Sequence, residues 1–263
     1  MSKESHGKRA REPDRPPFVR FAAMLRVDYP TGARTAFAYT AQLSSGDMIL
    51  RARNLTEGDS LVFKLALSKT LTLDLSGKVG GPEGDGVLVT FADGQDEAIY
   101  AVRSYLESHH VKELEESVNK SVRFPDRALQ LAAWYREVGR DEEALWLLGR
   151  YCDNNPKHLG LAEAAAATLV DRIEAGVAGR DVLDALAGIV DRSRQLGESA
   201  AIDRAAKALA DARRDFEKRK VEEARKAAEA EKKAQEDKLA KLREKIFAEA
   251  ESKARESFAK RNA

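Results

Sequence analysis

One cysteine, Cys152, is all the thiol chemistry that the 263 residues hold. A lone cysteine excludes an internal disulfide and fits a reducing compartment. No apolar run approaches the ~20 residues that a membrane-spanning helix needs. The N-terminus is polar and basic and lacks the apolar core of a secretory leader. The expectation is a cytoplasmic chain without membrane insertion. Aromatics are scarce, 6% against 34% charged residues, which is too polar for one large core, yet 43% hydrophobic is too much for a disordered chain. The net charge of +1 supplies no overall field for nucleic acid or anionic lipid. The basic run Lys8-Arg9-Ala10-Arg11 is short and has no interleaved aromatics, so it reads as a solvated tail.

Catalytic patterns are also missing. No G-x-S-x-G elbow is present, and Gly77, Gly80, Gly81, Gly84 and Gly86 carry no phosphate-loop spacing, so that stretch reads as a hairpin turn. His109 and His110 are adjacent, and on a helix they point about 100° apart. His109 and Glu113 are four apart but have no third ligand, so the histidines read as a surface pair. The sequence gives no catalytic residue, no metal site and no cofactor requirement. Cys152 reads as a core filler.

What is present divides into four segments. Residues 1–17 form a basic arm with three prolines and nothing to bury. Residues 18–108 begin β-rich. Leu71, Leu73 and Leu75 alternate with polar neighbours, Phe63, Leu65 and Leu67 do the same, and further strands are expected at Leu25–Tyr29, Thr35–Leu43, Met48–Arg53 and Val87–Phe91. Turn signals separate them, which predicts about six short strands in a small barrel, closed by a helix that aligns Ile99, Val102 and Leu106. Residues 111–199 read as helices at about Asp126–Glu137, Asp141–Asp153, Leu161–Glu174 and Arg180–Arg194. Gly139 breaks the first pair, and Asp141 is the expected cap of the second helix.

Residues 200–263 contain neither glycine nor proline. Between 217 and 238, fifteen of twenty-two positions are charged, eight positive and seven negative. Acid-before-base pairs recur four residues apart, as in Asp215/Arg219, Glu222/Lys226 and Glu229/Lys233, and such pairs sustain a solvated helix. A heptad seam fails early, because Lys220 and Glu223 follow Phe216. The apolar distal positions Leu239, Leu242, Ile246, Phe247 and Phe258 are the candidates for a protein contact. The fold class is therefore α+β: a small six-stranded barrel, helical hairpins, then one long charged helix.

Two resemblances refine this. From about residue 15 to 106 the order of elements resembles a PilZ domain: an arginine-bearing lead, a strand, a turn, a strand ending in a serine motif, four more strands and a closing helix. Members of that family are small β-barrels that often bind cyclic di-GMP through R-x-x-x-R and [D/N]-x-S-x-x-G motifs. Here Arg15 and Arg20 stand for the arginine pair with one residue too many between them. Gln42 replaces the acid or amide, Ser44 is kept, and Asp47 replaces the final glycine. The resemblance implies a ligand site at Arg15, Arg20, Gln42 and Ser44 if cyclic di-GMP binds. The damaged motifs favour a non-enzymatic adaptor that contacts one or more proteins. In residues 125–158, Ala128, Leu131, Ala132, Tyr135, Gly139, Ala144, Leu148 and Pro156 fall at the spacing of a TPR unit, and that segment resembles one. The alternatives left open are a cyclic di-GMP sensor and a structural spacer built around the long helix. By resemblance, the setting is bacterial signalling linked to motility or surface behaviour.

Overall fold

Residues 18–177, 179–197 and 199–261 are described by a computed structural model, with side chains described as far as 239 and then at 241–244, 247 and 250. The arm at 1–17, including Arg15, and the side chains of Ile246 and Phe258 lie outside the described residues. The chain forms two compact units, residues 1–168 and 169–263.

The first unit opens with β1 (Phe21–Ala22), β2 (Arg26–Thr31), β3 (Arg34–Leu43), β4 (Asp47–Leu50), β5 (Ser60–Ala66), β6 (Thr72–Glu83) and β7 (Gly86–Phe91). Hydrogen bonding runs in the order β3-β2-β5-β6-β7-β4, and β4 pairs back onto β3, so six antiparallel strands close a barrel. The two-residue β1 extends the line of β2 along β3, pairing Phe21 with Leu43 and Ala22 with Gln42. Alternation along β5 sends Leu61, Phe63 and Leu65 into a core shared with Val27, Leu43, Leu50, Leu75, Val79, Val89 and Phe91.

The glycine-rich stretch is not simply a turn. Gly77, Gly80 and Gly81 lie within β6, where the register shifts between Val79 and Pro82. Only Gly84, at φ 60°, has the left-handed backbone of the turn. A Cβ on Gly77 would come within 2.5 Å of the Thr90 carbonyl oxygen, and one on Gly86 within 2.6 Å of that of Leu50. These glycines serve close strand approach.

Helix α1 (Asp96–Leu106) continues without a break through a π-helical turn (Glu107–Val111) into α2 (Lys112–Lys120). Its Val102 and Leu106 are buried as their spacing predicts. The histidines part ways in the π turn. His109 is exposed and stacks on Tyr105, whereas His110 is half-buried against Phe21 with centroids 5.7 Å apart, so they are not a surface pair. Helices α3 (Pro125–Glu137) and α4 (Asp141–Asn154) form a hairpin around Gly139, which has φ 82°. Ala128, Leu131, Ala132, Tyr135, Ala144 and Leu148 are all buried. Asp141 is the first residue of α4 rather than its cap, because Arg140 holds the cap position. Cys152 is half-buried.

The unit boundary falls inside α5 (Leu159–Glu174). In the second unit, α6 (Arg180–Ser193) packs on the start of α7 (Ala200–Arg261). Leu183, Leu186 and Val190 of α6 and Ile202, Ala205 and Leu209 of α7 are buried. Further along α7 the described side chains between 217 and 239 are exposed apart from Glu222, with local pairs such as Arg225–Glu222 at 2.8 Å and Lys226–Glu222 at 4.0 Å. The 62-residue helix keeps its length through propensity and such pairs. No helix among the described residues is long and apolar enough to cross a membrane.

Candidate functional site

The β3–β4 connection, Ser44-Ser45-Gly46, is a tight turn fully buried against the rest of the unit. Ser44 organises it. Its hydroxyl oxygen accepts from the Gly46 N–H at 3.1 Å and the Asp47 N–H at 2.9 Å, and its own proton points to Asp47 Oδ1 at 2.7 Å. The Ser44 backbone N–H donates to the Asp47 carbonyl at 2.9 Å. A short hydroxyl suits this position because it bonds backbone groups two and three residues on.

Arg20, one residue before β1, reaches this turn. Its Nε donates to Asp47 Oδ1 at 2.8 Å and its Nη2 to Asp47 Oδ2 at 2.9 Å, while Nη1 donates to Glu83 Oε1 at the end of β6. The fork matches the geometry of a carboxylate, the strongest of side-chain hydrogen-bond arrangements. The Arg20 and Asp47 side chains are only 17% and 9% exposed, so water screens the pair little. The bond to Asp47 drives the guanidinium's proton affinity above its ordinary value; burial opposes this, and the charges of Asp47 and Glu83 add to it.

Helix α3 approaches the same face. Glu137 Oε2 accepts from the Val19 N–H at 2.9 Å, and Glu137 Oε1 accepts from the Ser45 hydroxyl. Gln130 Nε2 donates to the Arg20 carbonyl at 3.0 Å. Phe21 stands edge-on to the fully buried Trp134, with centroids 5.6 Å apart.

Of the residues expected to form a ligand site, Arg20 and Ser44 come together on one atom, Asp47 Oδ1. Gln42 is exposed on β3 and has no part in this cluster. Arg15 lies outside the described residues. Asp47 faces Arg20 itself, as its partner. Sequence reasoning missed Glu83, Gln130 and Glu137. The place of Asp47 in the serine motif was visible in the sequence, but not its pairing with Arg20, 27 positions away. Glu83 and Glu137 stand 63 and 117 positions from Arg20, and no local pattern links them to it.

The chemistry of this arrangement is charge neutralisation. Asp47 and Glu83 hold three of the five Arg20 N–H groups and offset its charge. Among the described residues no three of His, Cys, Asp and Glu gather as a metal site.

No family model and no curated protein matches the sequence. Several solved structures are similar to part of it. The MotI/DgrA inhibitor of motility of Bacillus subtilis shares 15% identity over 36% of this chain and 53% of its own, with a TM-score of 0.29. The PilZ domain of CeSA from a cellulose-synthesizing bacterium shares 15% over 35% of this chain and 98% of its own, at 0.29. The PilZ domain of Escherichia coli YcgR with c-di-GMP shares 12% over 39% of this chain and 97% of its own, at 0.33. The chain thus spans about half the length of the MotI/DgrA structure it resembles. The barrel's class rests on its own strand register.

Proposed function

We propose that residues 18–108 form a PilZ-like barrel that works by contacting a protein, within a non-enzymatic adaptor of bacterial signalling linked to motility or surface behaviour. The observation that supports this reading is the Arg20 guanidinium held by Asp47 and Glu83. In the family that the lead and serine motif resemble, that arginine is a ligand for cyclic di-GMP. Here it is neutralised within the chain, and a dianion gains little by exchanging one set of paired charges for another. Residues 111–199, read as TPR-like helices, and residues 200–263, read as a rod, complete the proposed organisation. The rod exposes Leu239, Leu242 and Phe247, at 56%, 55% and 77% exposure. With Ile246 and Phe258 these are the proposed contact positions, because a run of exposed apolar side chains on a charged helix marks a site of association.

The test is affinity capture with the full chain, compared with a Leu242→Asp/Phe247→Asp variant. The reading expects one protein partner whose recovery falls at least tenfold with the variant. Capture that is indifferent to the variant removes the distal helix from the proposal. The absence of any protein partner contradicts the adaptor reading itself.

A further inference from the structure

Glu137 joins two parts of the chain that have no secondary structure in common. It sits at the C-terminal end of α3, and its two carboxylate oxygens accept from the Val19 N–H and the Ser45 hydroxyl. Residues 18–20 belong to no strand, because pairing with β3 begins only at Phe21. Their fixing falls to side chains. Glu137 takes the Val19 N–H, Gln130 reaches the Arg20 carbonyl at 3.0 Å, and Arg20 holds Asp47 and Glu83. The Phe18 ring lies over Gly46 so closely that a Cβ there would come within 2.1 Å of it. Phe21 is clasped between His110 and Trp134.

We propose that residues 18–20 are a strap, closed over the β3–β4 turn by Glu137, which ties the position of the α3–α4 hairpin to the arginine face of the barrel. A segment held by side-chain bonds at a half-buried site opens locally at lower cost than a strand in a ladder. Loss of the Glu137 bridge frees the Val19 N–H and the Ser45 hydroxyl together and loosens the segment that carries Arg20. A shift of α3 therefore reaches the segment that carries Arg20 through the bonds of Glu137 and Gln130 and the Phe21–Trp134 contact. This deepens the protein-contact reading by naming the element that a partner on either the hairpin or the barrel would move.

The experiment is hydrogen–deuterium exchange with mass spectrometry on the full chain, comparing wild type, Glu137→Gln, Glu137→Ala, Ser45→Ala and the surface control Glu116→Ala. The strap predicts at least tenfold faster exchange in Glu137→Ala for peptides covering 18–22, and a smaller rise at 44–47. Exchange in β5 should stay unchanged. Glu137→Gln, which keeps one acceptor, falls between, and Glu116→Ala matches wild type. Ser45→Ala removes one of the bridge's bonds with little change in volume, and it raises exchange at 18–22 even if Glu137→Ala loosens the whole unit. Unchanged exchange at 18–22 in Ser45→Ala, with Glu137→Ala either silent or moving 18–22 in step with β5, overturns the proposal. Exchange is read on the free protein. A strap that stays shut overturns this inference alone, whereas failure to capture any partner overturns the adaptor reading alone.

Discussion

The Arg20 guanidinium and the Asp47 carboxylate meet through two parallel hydrogen bonds, Nε–Oδ1 at 2.8 Å and Nη2–Oδ2 at 2.9 Å. Removing either member leaves a largely buried charge without its main partner. Asp47→Ala is expected to destabilise the first unit by ~3 kcal/mol, since breaking a buried pair from one side costs more than replacing both members. Arg20→Ala/Asp47→Ala should then cost less than the sum of the single substitutions, by about 1–3 kcal/mol. Urea denaturation of the four proteins measures this, and simple additivity would show that the fork is not coupled.

The two strand glycines predict a contrast with a helical one. Gly77→Ala and Gly86→Ala place a Cβ within 2.5 and 2.6 Å of a facing carbonyl oxygen, which forces the strands apart. Gly149 on α4 has open space around its missing Cβ. Gly149→Ala is expected to raise stability by up to ~1 kcal/mol through helix propensity, while both strand variants lower it. Thermal unfolding followed by circular dichroism orders the three.

Tyr151 fastens α4 to the end of α2. Its hydroxyl lies 3.1 Å from the Val118 carbonyl and 2.6 Å from that of Ser121, in a fully buried position. Tyr151→Phe leaves those carbonyls without this donor and is expected to cost ~1–2 kcal/mol. Chemical denaturation gives the value, and a neutral result would mean that other donors serve those carbonyls.

His110 makes the first unit acid-sensitive. Burial lowers its pKa below 6.5, the charge of His109 lowers it further, and Glu113 opposes both. The unfolded chain therefore takes up this proton at a higher pH than the folded one. The stability contributed by the neutral ring is fully present above 6.5, falls as pH drops through that value, and stops falling once pH passes below the folded pKa. His110→Phe, which retains an aromatic ring for Phe21, should flatten the change in stability between pH 7.5 and 5.5. An unaltered slope would place the acid sensitivity elsewhere.

Much of the architecture was legible in the sequence, because local patterns produce it. Alternation at Phe63 and Leu65, the helical spacing of Val102 and Leu106, and the absence of breakers after Ala200 each correspond to an observed element, whereas Leu71 falls just outside β6 and is exposed. Where local rules met tertiary packing they failed. Gly80-Gly81-Pro82 has turn composition but lies in a strand, where the pairing register shifts between Val79 and Pro82. Helix α2 is mostly polar, with Val118 its buried residue, so its stripe was too thin to read. The candidate site was half legible. Arg20 and Ser44 stood out by motif, whereas Glu83 reaches Arg20, and Glu137 reaches the neighbouring Val19 and Ser45, only once the chain has folded.

On the proposed reading, Arg20 is spent on Asp47 and Glu83 and is not available to a dinucleotide. Isothermal titration of the full chain with cyclic di-GMP tests it most directly, with Arg20→Ala as the comparison. No saturable heat is expected at micromolar concentrations for either protein. Micromolar binding by the wild type that disappears in Arg20→Ala would contradict it.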